Sequence, residues 1–197
     1  MIEAETPFDH RGFEALLLHA RWLNQLAADT DIDLANWFDQ QGIDWVDCEN
    51  ITGPLRTHPV QFLKQGFDFC DRGPAYVIQC VYNENGAALD LVAWSLTEPS
   101  KTSLYLGDGI MLGAENAAIS ALYPLQVHRS PLKWLKAGCT GICILSATNA
   151  RKTLGRYRGK LIAEDLKHAK ALAKALAPAV GPDRIVMPRL RVVGEVA

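Results

Sequence analysis

No apolar run in this sequence approaches the roughly 18–20 consecutive residues that cross a bilayer, so a membrane-spanning protein is not expected. Charge of one sign is not in excess either. Twenty basic residues against 22 acidic ones leave a net charge of −2. That balance does not mark a dedicated nucleic-acid binder, although a local basic patch remains compatible with it. The opening residues, MIEAETPFDH, are acidic and lack the basic-then-apolar order of a secretory leader, which makes the cytoplasm the expected location. Five cysteines are an odd number, and without a leader they argue against a disulfide framework.

The common catalytic signatures are also missing. Gly107, Gly109 and Gly113 resemble a phosphate-binding glycine loop, but the last glycine falls one position too late for G-x-G-x-x-G. No G-x-x-x-x-G-K-S/T loop occurs, and no serine stands in a nucleophile elbow. Cys139 as a nucleophile would need His128 as its base. Cys139 and Cys143 have the spacing of two metal ligands, but Cys143 lies inside an apolar strand and buried thiols account for both. No complete catalytic set emerges, which favours a binding protein over an enzyme.

What is present is a globular composition, 49% apolar and 21% charged. The pattern changes character twice. Residues 9–42 carry helical periodicity, with Phe13, Leu16, Leu17, Ala20, Leu23, Leu26 and Ala27 on one face. A second helix, from about Asp33 to Gln41, has Leu34, Trp37 and Phe38 as its apolar stripe and Gly42 as its stop. Residues 43–48 alternate like a short strand. Residues 49–73 read as a loop, with one helical turn from Pro59 to Lys64. Ala75–Tyr82, the turn Asn83–Gly86 and Ala87–Leu96 predict a hairpin, and a second hairpin is expected from Ser103–Leu106 and Ile110–Leu112.

From residue 113 onward helix and strand alternate. In LQVHRSPLKWLKAGCTGICIL (residues 125–145), Leu125–His128 reads as a strand and Ser130-Pro131 as a cap with proline at the first helical position. Gly138 stops that helix, and Gly141–Leu145 is a second, buried strand. Further helices over 147–154 and 166–177, with strands at 160–163 and 185–187, predict a parallel sheet. The expected fold is α+β / α/β: N-terminal helices and an antiparallel meander (1–112) joined to a C-terminal parallel βαβ sheet (113–197).

Four groups of residues could carry function. His128, Arg129 and Ser130 lie where a strand end meets a helix N-terminus. The unpaired N–H groups, the helix dipole and a guanidinium there suit an anion; alternatively Ser130 is only a cap. Arg151, Lys152, Arg156, Arg158 and Lys160, with Tyr157 interleaved, could track a phosphate backbone or form an ordinary solvated surface. Arg184, Arg189 and Arg191 would add to that face. Glu164 and Asp165 follow a strand and could hold Mg²⁺ with a third carboxylate, Asp108 or Glu115; Asp165 as a helix cap explains the same residue. His168, four residues after Glu164, reads as a surface pairing with it. His10 and His19 are nine residues apart on the first helix and cannot share a metal.

The alternation over residues 104–177 resembles the toprim fold of primases and topoisomerases. Those domains place a glutamate after their first strand and D-x-D after a later one. Here the strand GICIL is followed by Ser146-Ala147-Thr148, so the metal-binding pair is absent and the resemblance implies lost metal chemistry. The sequence therefore favours a non-catalytic protein that binds a phosphate-bearing or other anionic ligand, nucleic acid included. The rival classes are a Mg-dependent phosphoryl-transfer or hydrolytic enzyme of degenerate toprim-like topology and a protein–protein interaction module using the first helix. No membrane partner is expected, and oligomeric state is left open.

Overall fold

The computed structural model describes residues 32–119 and 123–188, together with Leu17. Apart from Leu17, the expected first helix, with His10 and His19, lies outside the described residues, as do Arg189 and Arg191.

Helix α1 (Ile32–Gln40) buries Leu34 and Phe38 on the face its periodicity predicts. Phe38 meets Trp94 edge-on with ring centroids 6.3 Å apart. Residues expected to form a short strand instead form helix α2 (Trp45–Thr52). Asp44 decides this: its carboxylate accepts the Asp47 N–H at 3.1 Å and satisfies a first-turn donor. A capping aspartate outweighs an alternation that covers only six residues.

The first sheet is antiparallel and five-stranded: β1 (Arg56–Phe62), β2 (Phe67–Phe69), β3 (Ala75–Tyr82), β4 (Ala88–Trp94) and β5 (Thr102–Leu104), in the order β2-β1-β3-β4-β5. The expected loop at 49–73 thus contains the end of α2 and both β1 and β2, and the turn expected to be helical from Pro59 is strand as far as Phe62. Val60 and Phe67 are buried in a cluster with Tyr76 and Ile78 of β3 and Leu91 of β4, and that tertiary packing overrides the proline punctuation. The Asn83 turn forms as expected, its side-chain oxygen accepting the N–H groups of Asn85 and Ala87, each at 2.9 Å.

The second expected hairpin is absent. β5 pairs with β4, whereas β6 (Met111–Leu112) leaves for the other sheet and pairs antiparallel with Cys143 and Ile144. Asp90, fully buried on β4, explains the departure. Its carboxylate accepts four N–H groups, from Leu91 (2.7 Å), Leu106 (2.8 Å), Asp108 (2.8 Å) and Gly109 (2.9 Å). Residues 106–109 therefore wrap around one side chain rather than closing a two-strand turn.

The second sheet holds β6, β7 (Leu125–His128), β8 (Ile142–Ile144), β9 (Leu161–Ile162) and β10 (Ile185–Val186) in the order β10-β9-β7-β8-β6. β7 is parallel to both β8 and β9, and β9 to β10, as the alternation predicts. The helices are α3 (Ala114–Ile119), α4 (Pro131–Lys136), α5 (Ala147–Arg156) and α6 (Leu166–Leu176). Trp134 and Leu135 of α4 join a core with Val77, Val92 and Trp94 of the first sheet. Ala150 and Leu154 of α5 and Leu172 and Leu176 of α6 pack with Val127, Ile142 and Leu161 on the opposite face. β7 therefore connects one way along the sheet through α4 to β8, and β9 connects the other way through α6 to β10. These adjacent strands diverge at their carboxyl ends, where open sheets form a crevice. No helix among the described residues is long and apolar enough to cross a membrane.

Candidate anion-binding cleft

A cleft of about 490 Å³ lies at the carboxyl ends of β7 and β8, against α6. Val127, His128 and Arg129 enter it from β7, and Ile144 and Leu145 from β8. Ala147 begins α5, Lys167, His168, Ala171, Leu172 and Ala175 come from α6, and Ser100 belongs to the loop between β4 and β5. One wall is apolar. Every ionisable side chain in the lining is basic: two histidines, one arginine and one lysine.

Local sequence sets each position. Ser130 caps α4, accepting the Lys133 N–H at 3.4 Å, so Arg129 is the last residue before the helix turns away. Asp165 caps α6 in the same manner, accepting the His168 N–H at 2.8 Å. Ser146 caps the ten-residue α5, whose first residue faces the cleft with the positive end of its dipole.

A web of charge ties the two strand ends together. The Arg129 N–H donates to Glu164 Oε1 at 3.1 Å, and its guanidinium Nη2 donates to Asp165 Oδ1 at 2.5 Å. Arg129 Nε lies 3.6 Å from Glu164 Oε2, which also accepts from Lys133 Nζ at 2.5 Å. Burial pushes the Glu164 carboxyl up, but the Lys133 ammonium and the Arg129 N–H outweigh it and hold the group below its ordinary value. Asp165 is also held low, first by the His168 N–H and then by Arg129. Lys167, by contrast, has no ion-pair partner among the described residues.

The histidines are held neutral. His128 Nε2 donates to the Thr140 carbonyl at 3.0 Å, and burial pulls the ring below its ordinary value. His168 is 7% exposed and is likewise pulled down by burial. Its Nδ1 accepts the Glu164 N–H at 3.2 Å, so the expected surface pairing with the Glu164 carboxylate is instead a buried ring–backbone bond. Among the described residues no hydrogen bond joins Cys139 to His128, whose Nε2 is engaged with the Thr140 carbonyl, so the nucleophile–base pair that the sequence left open does not form.

The remaining expected residues lie elsewhere. Lys160 stands at the start of β9, where its carbonyl accepts the Leu125 N–H at 2.8 Å, so it marks the amino ends of β7 and β9. Helix α5 spans its ten residues, roughly 15 Å, away from the cleft, which sends Arg156, Arg158 and Lys160 to the opposite edge. Arg151 Nε is spent on the Ala175 carbonyl at 2.9 Å. Lys152 and Arg156 line a separate hollow with Glu84 and α3. Arg184 donates to the carbonyls of Leu154, Tyr157 and Gly159 and closes the end of α5.

Glu164 and Asp165 spend their oxygens on Arg129, Lys133 and the α6 cap. No group of three His, Cys, Asp or Glu among the described residues could hold a metal, so neither Asp108 nor Glu115 completes one with them. The sequence reading missed Lys133 and Lys167. The rule that found Arg129, a strand's carboxyl end meeting a helix start, holds equally for β9 and α6 and would have found Lys167.

No protein-family model and no curated protein matches the chain. Among solved structures, the crystal structure of the primase fragment of the bacteriophage T7 primase-helicase protein is similar. The TM-score is 0.46 and the identity 10%, over 76% of this chain and 62% of that one. This chain thus spans less than two thirds of that protein, and a likeness of this extent assigns no activity.

Proposed function

We propose that this protein binds a small phosphate-bearing ligand in the cleft at the carboxyl ends of β7 and β8, beside the start of α6. The observation that carries the reading is the lining: among the described residues its ionisable side chains are His128, Arg129, Lys167 and His168, all of them basic. Among the described residues Lys167 has no counter-charge to displace. Arg129 supplies a planar fork that matches a phosphate once it trades Asp165 for the ligand. The N-terminus of α5 adds backbone donors. Ile144, Leu145, Ala171 and Ala175 offer an apolar wall for the ligand's body, and the volume suits a ligand of single-nucleotide size rather than a polymer.

Calorimetric titration with inorganic pyrophosphate and with adenosine monophosphate tests this. Saturable binding that weakens about tenfold in Lys167→Ala, the loss of one charge-assisted contact, supports the reading. Equal affinity in the natural chain and the variant, or no binding at millimolar ligand, rules it out. A fluorescent oligonucleotide is the companion probe. If it binds while the small phosphates do not, and Arg156→Ala or Lys160→Ala weakens it, the ligand is nucleic acid at the other end of the sheet.

A further inference from the structure

A second hollow, of about 480 Å³, adjoins the cleft. Leu145 lines both, and Ser146 at the edge of the hollow is followed in the chain by Ala147 at the edge of the cleft. The two spaces differ in chemistry. Gln65, Thr102, Ser103 and Ser146 supply the polar side chains of the hollow, and among the described residues its lining holds no ionisable group. Thr102 and Ser103 are half-buried on β5. Their hydroxyls make no hydrogen bond among the described residues, and neither does the Gln65 amide. Ser146 Oγ accepts the Asn149 N–H at 3.3 Å, which leaves its own proton for another acceptor. The surrounding backbone is fixed. Ser103 pairs with Ala93 of β4. Asn149 Nδ2 donates to the carbonyls of Gly107 at 2.9 Å and Gly109 at 3.2 Å, and the Asp90 carboxylate holds the same loop. From the other side the β1–β2 turn presses on β5, where a Cβ on Gly66 would stand 2.9 Å from the Leu104 carbonyl oxygen. Unspent hydroxyls on so rigid a wall are pre-organised for a ligand.

We propose that the ligand of the cleft is a phosphorylated sugar, its phosphate among the basic groups of the cleft and its hydroxyls turned into this neutral hollow. The inference rests on the phosphate reading above and narrows it. A sugar ring has apolar C–H faces and a rim of hydroxyls. Leu145, common to both spaces, offers an apolar surface to a C–H face. The hydroxyls of Thr102 and Ser103 and the amide of Gln65 can each donate and accept, as a rim of hydroxyls requires. The lack of charge also selects. A second phosphate or a carboxylate on the ligand would lose its hydration in the hollow and find no cation there. A nucleobase is gripped largely by stacking on aromatic rings or guanidinium planes, and the described lining of the hollow contains neither. A hydroxyl-bearing body therefore fits where an aromatic one does not.

The test is calorimetry on the full chain with methyl phosphate, ribose 5-phosphate and adenosine monophosphate. Ribose 5-phosphate is expected to bind about tenfold tighter than methyl phosphate, the worth of one or two neutral hydrogen bonds. Adenosine monophosphate, which adds only a base, should bind no tighter than ribose 5-phosphate. In the double variant Thr102→Val, Ser103→Ala the two simple phosphates should bind alike. Equal affinity of methyl phosphate and ribose 5-phosphate for the natural chain overturns the proposal and leaves the phosphate reading standing. Adenosine monophosphate binding about tenfold tighter than ribose 5-phosphate overturns it as well, in favour of a nucleotide. So does full retention of the ribose advantage in the double variant. If none of the three binds at millimolar concentration, the phosphate reading itself fails and the sugar falls with it. The ligand series on the natural chain decides the matter even if the double variant fails to fold.

Discussion

Arg129 has two occupations: its guanidinium holds the start of α6 through Asp165, and it lines the cleft. Ligand binding and the β7–β9 seam therefore compete for one side chain. Arg129→Ala is expected to weaken pyrophosphate binding about tenfold or more and also to lower the melting temperature, whereas Lys167→Ala lowers affinity alone. Calorimetry and thermal melts on both variants separate the two roles. Asp90 is a purely structural counterpart. Asp90→Ala strands four N–H donors at a buried site and is expected to cost about 3 kcal/mol or more, read by urea denaturation. The titrating groups at the strand ends give a pH signature. His128 and His168 are held below 6.5, so the unfolded chain binds protons that the folded one refuses, and stability falls as pH drops beneath about 6.5. Glu164 and Asp165 are held low as well, so a second decline begins as pH falls below about 4.5. Melting temperatures should be flat between about pH 7 and 8 and fall in those two stages below that range. At this scale the sequence disclosed Arg129 through its place after a strand. It disclosed neither Asp90 nor the Glu164–Lys133 pair, because their partners lie 16–19 and 31 residues away and no periodicity reports them.

Among the elements, the βαβ unit from β7 to β8 was legible in full. Ser130-Pro131, the Trp134-Leu135 face and the apolar strand all point to one local answer, and the structure agrees. Helix α2 and strands β1 and β2 were not legible. Asp44 acts through one side-chain bond that competes with a short alternation, and β1 holds Pro59 only because β3 pairs with it at Arg56–Pro59. The packing of elements has one narrow point. The β6–α3 turn at Gly113 and the α4–β8 turn at Gly141 approach so closely that a Cβ on Gly113 would sit 2.3 Å from the Gly141 carbonyl oxygen, at a φ of +74°. Gly113→Ala therefore carries both a clash and backbone strain. It is expected to destabilise by about 2 kcal/mol or more, read by urea denaturation, while Gly86→Ala meets open space and costs mainly its turn conformation.

For the molecule as a whole, two sheets share a core through Trp94, Trp134, Leu135 and Cys143, and a cleft opens at the carboxyl ends of β7 and β8 beside α6. Fold class was legible because the hydrophobic period changes from alternating to helical along the chain. The extent of the basic surface was not. A run that is continuous in sequence, 151–160, is drawn by α5 from the carboxyl edge of the sheet to the amino edge, so charges near in sequence to the site lie far from it in space. This separation allows a decisive comparison. Pyrophosphate affinity measured by calorimetry in parallel for Lys167→Ala and Lys160→Ala tests the central claim most directly. The account predicts about tenfold weaker binding for the first and unchanged binding for the second. Loss in the second with none in the first would contradict it.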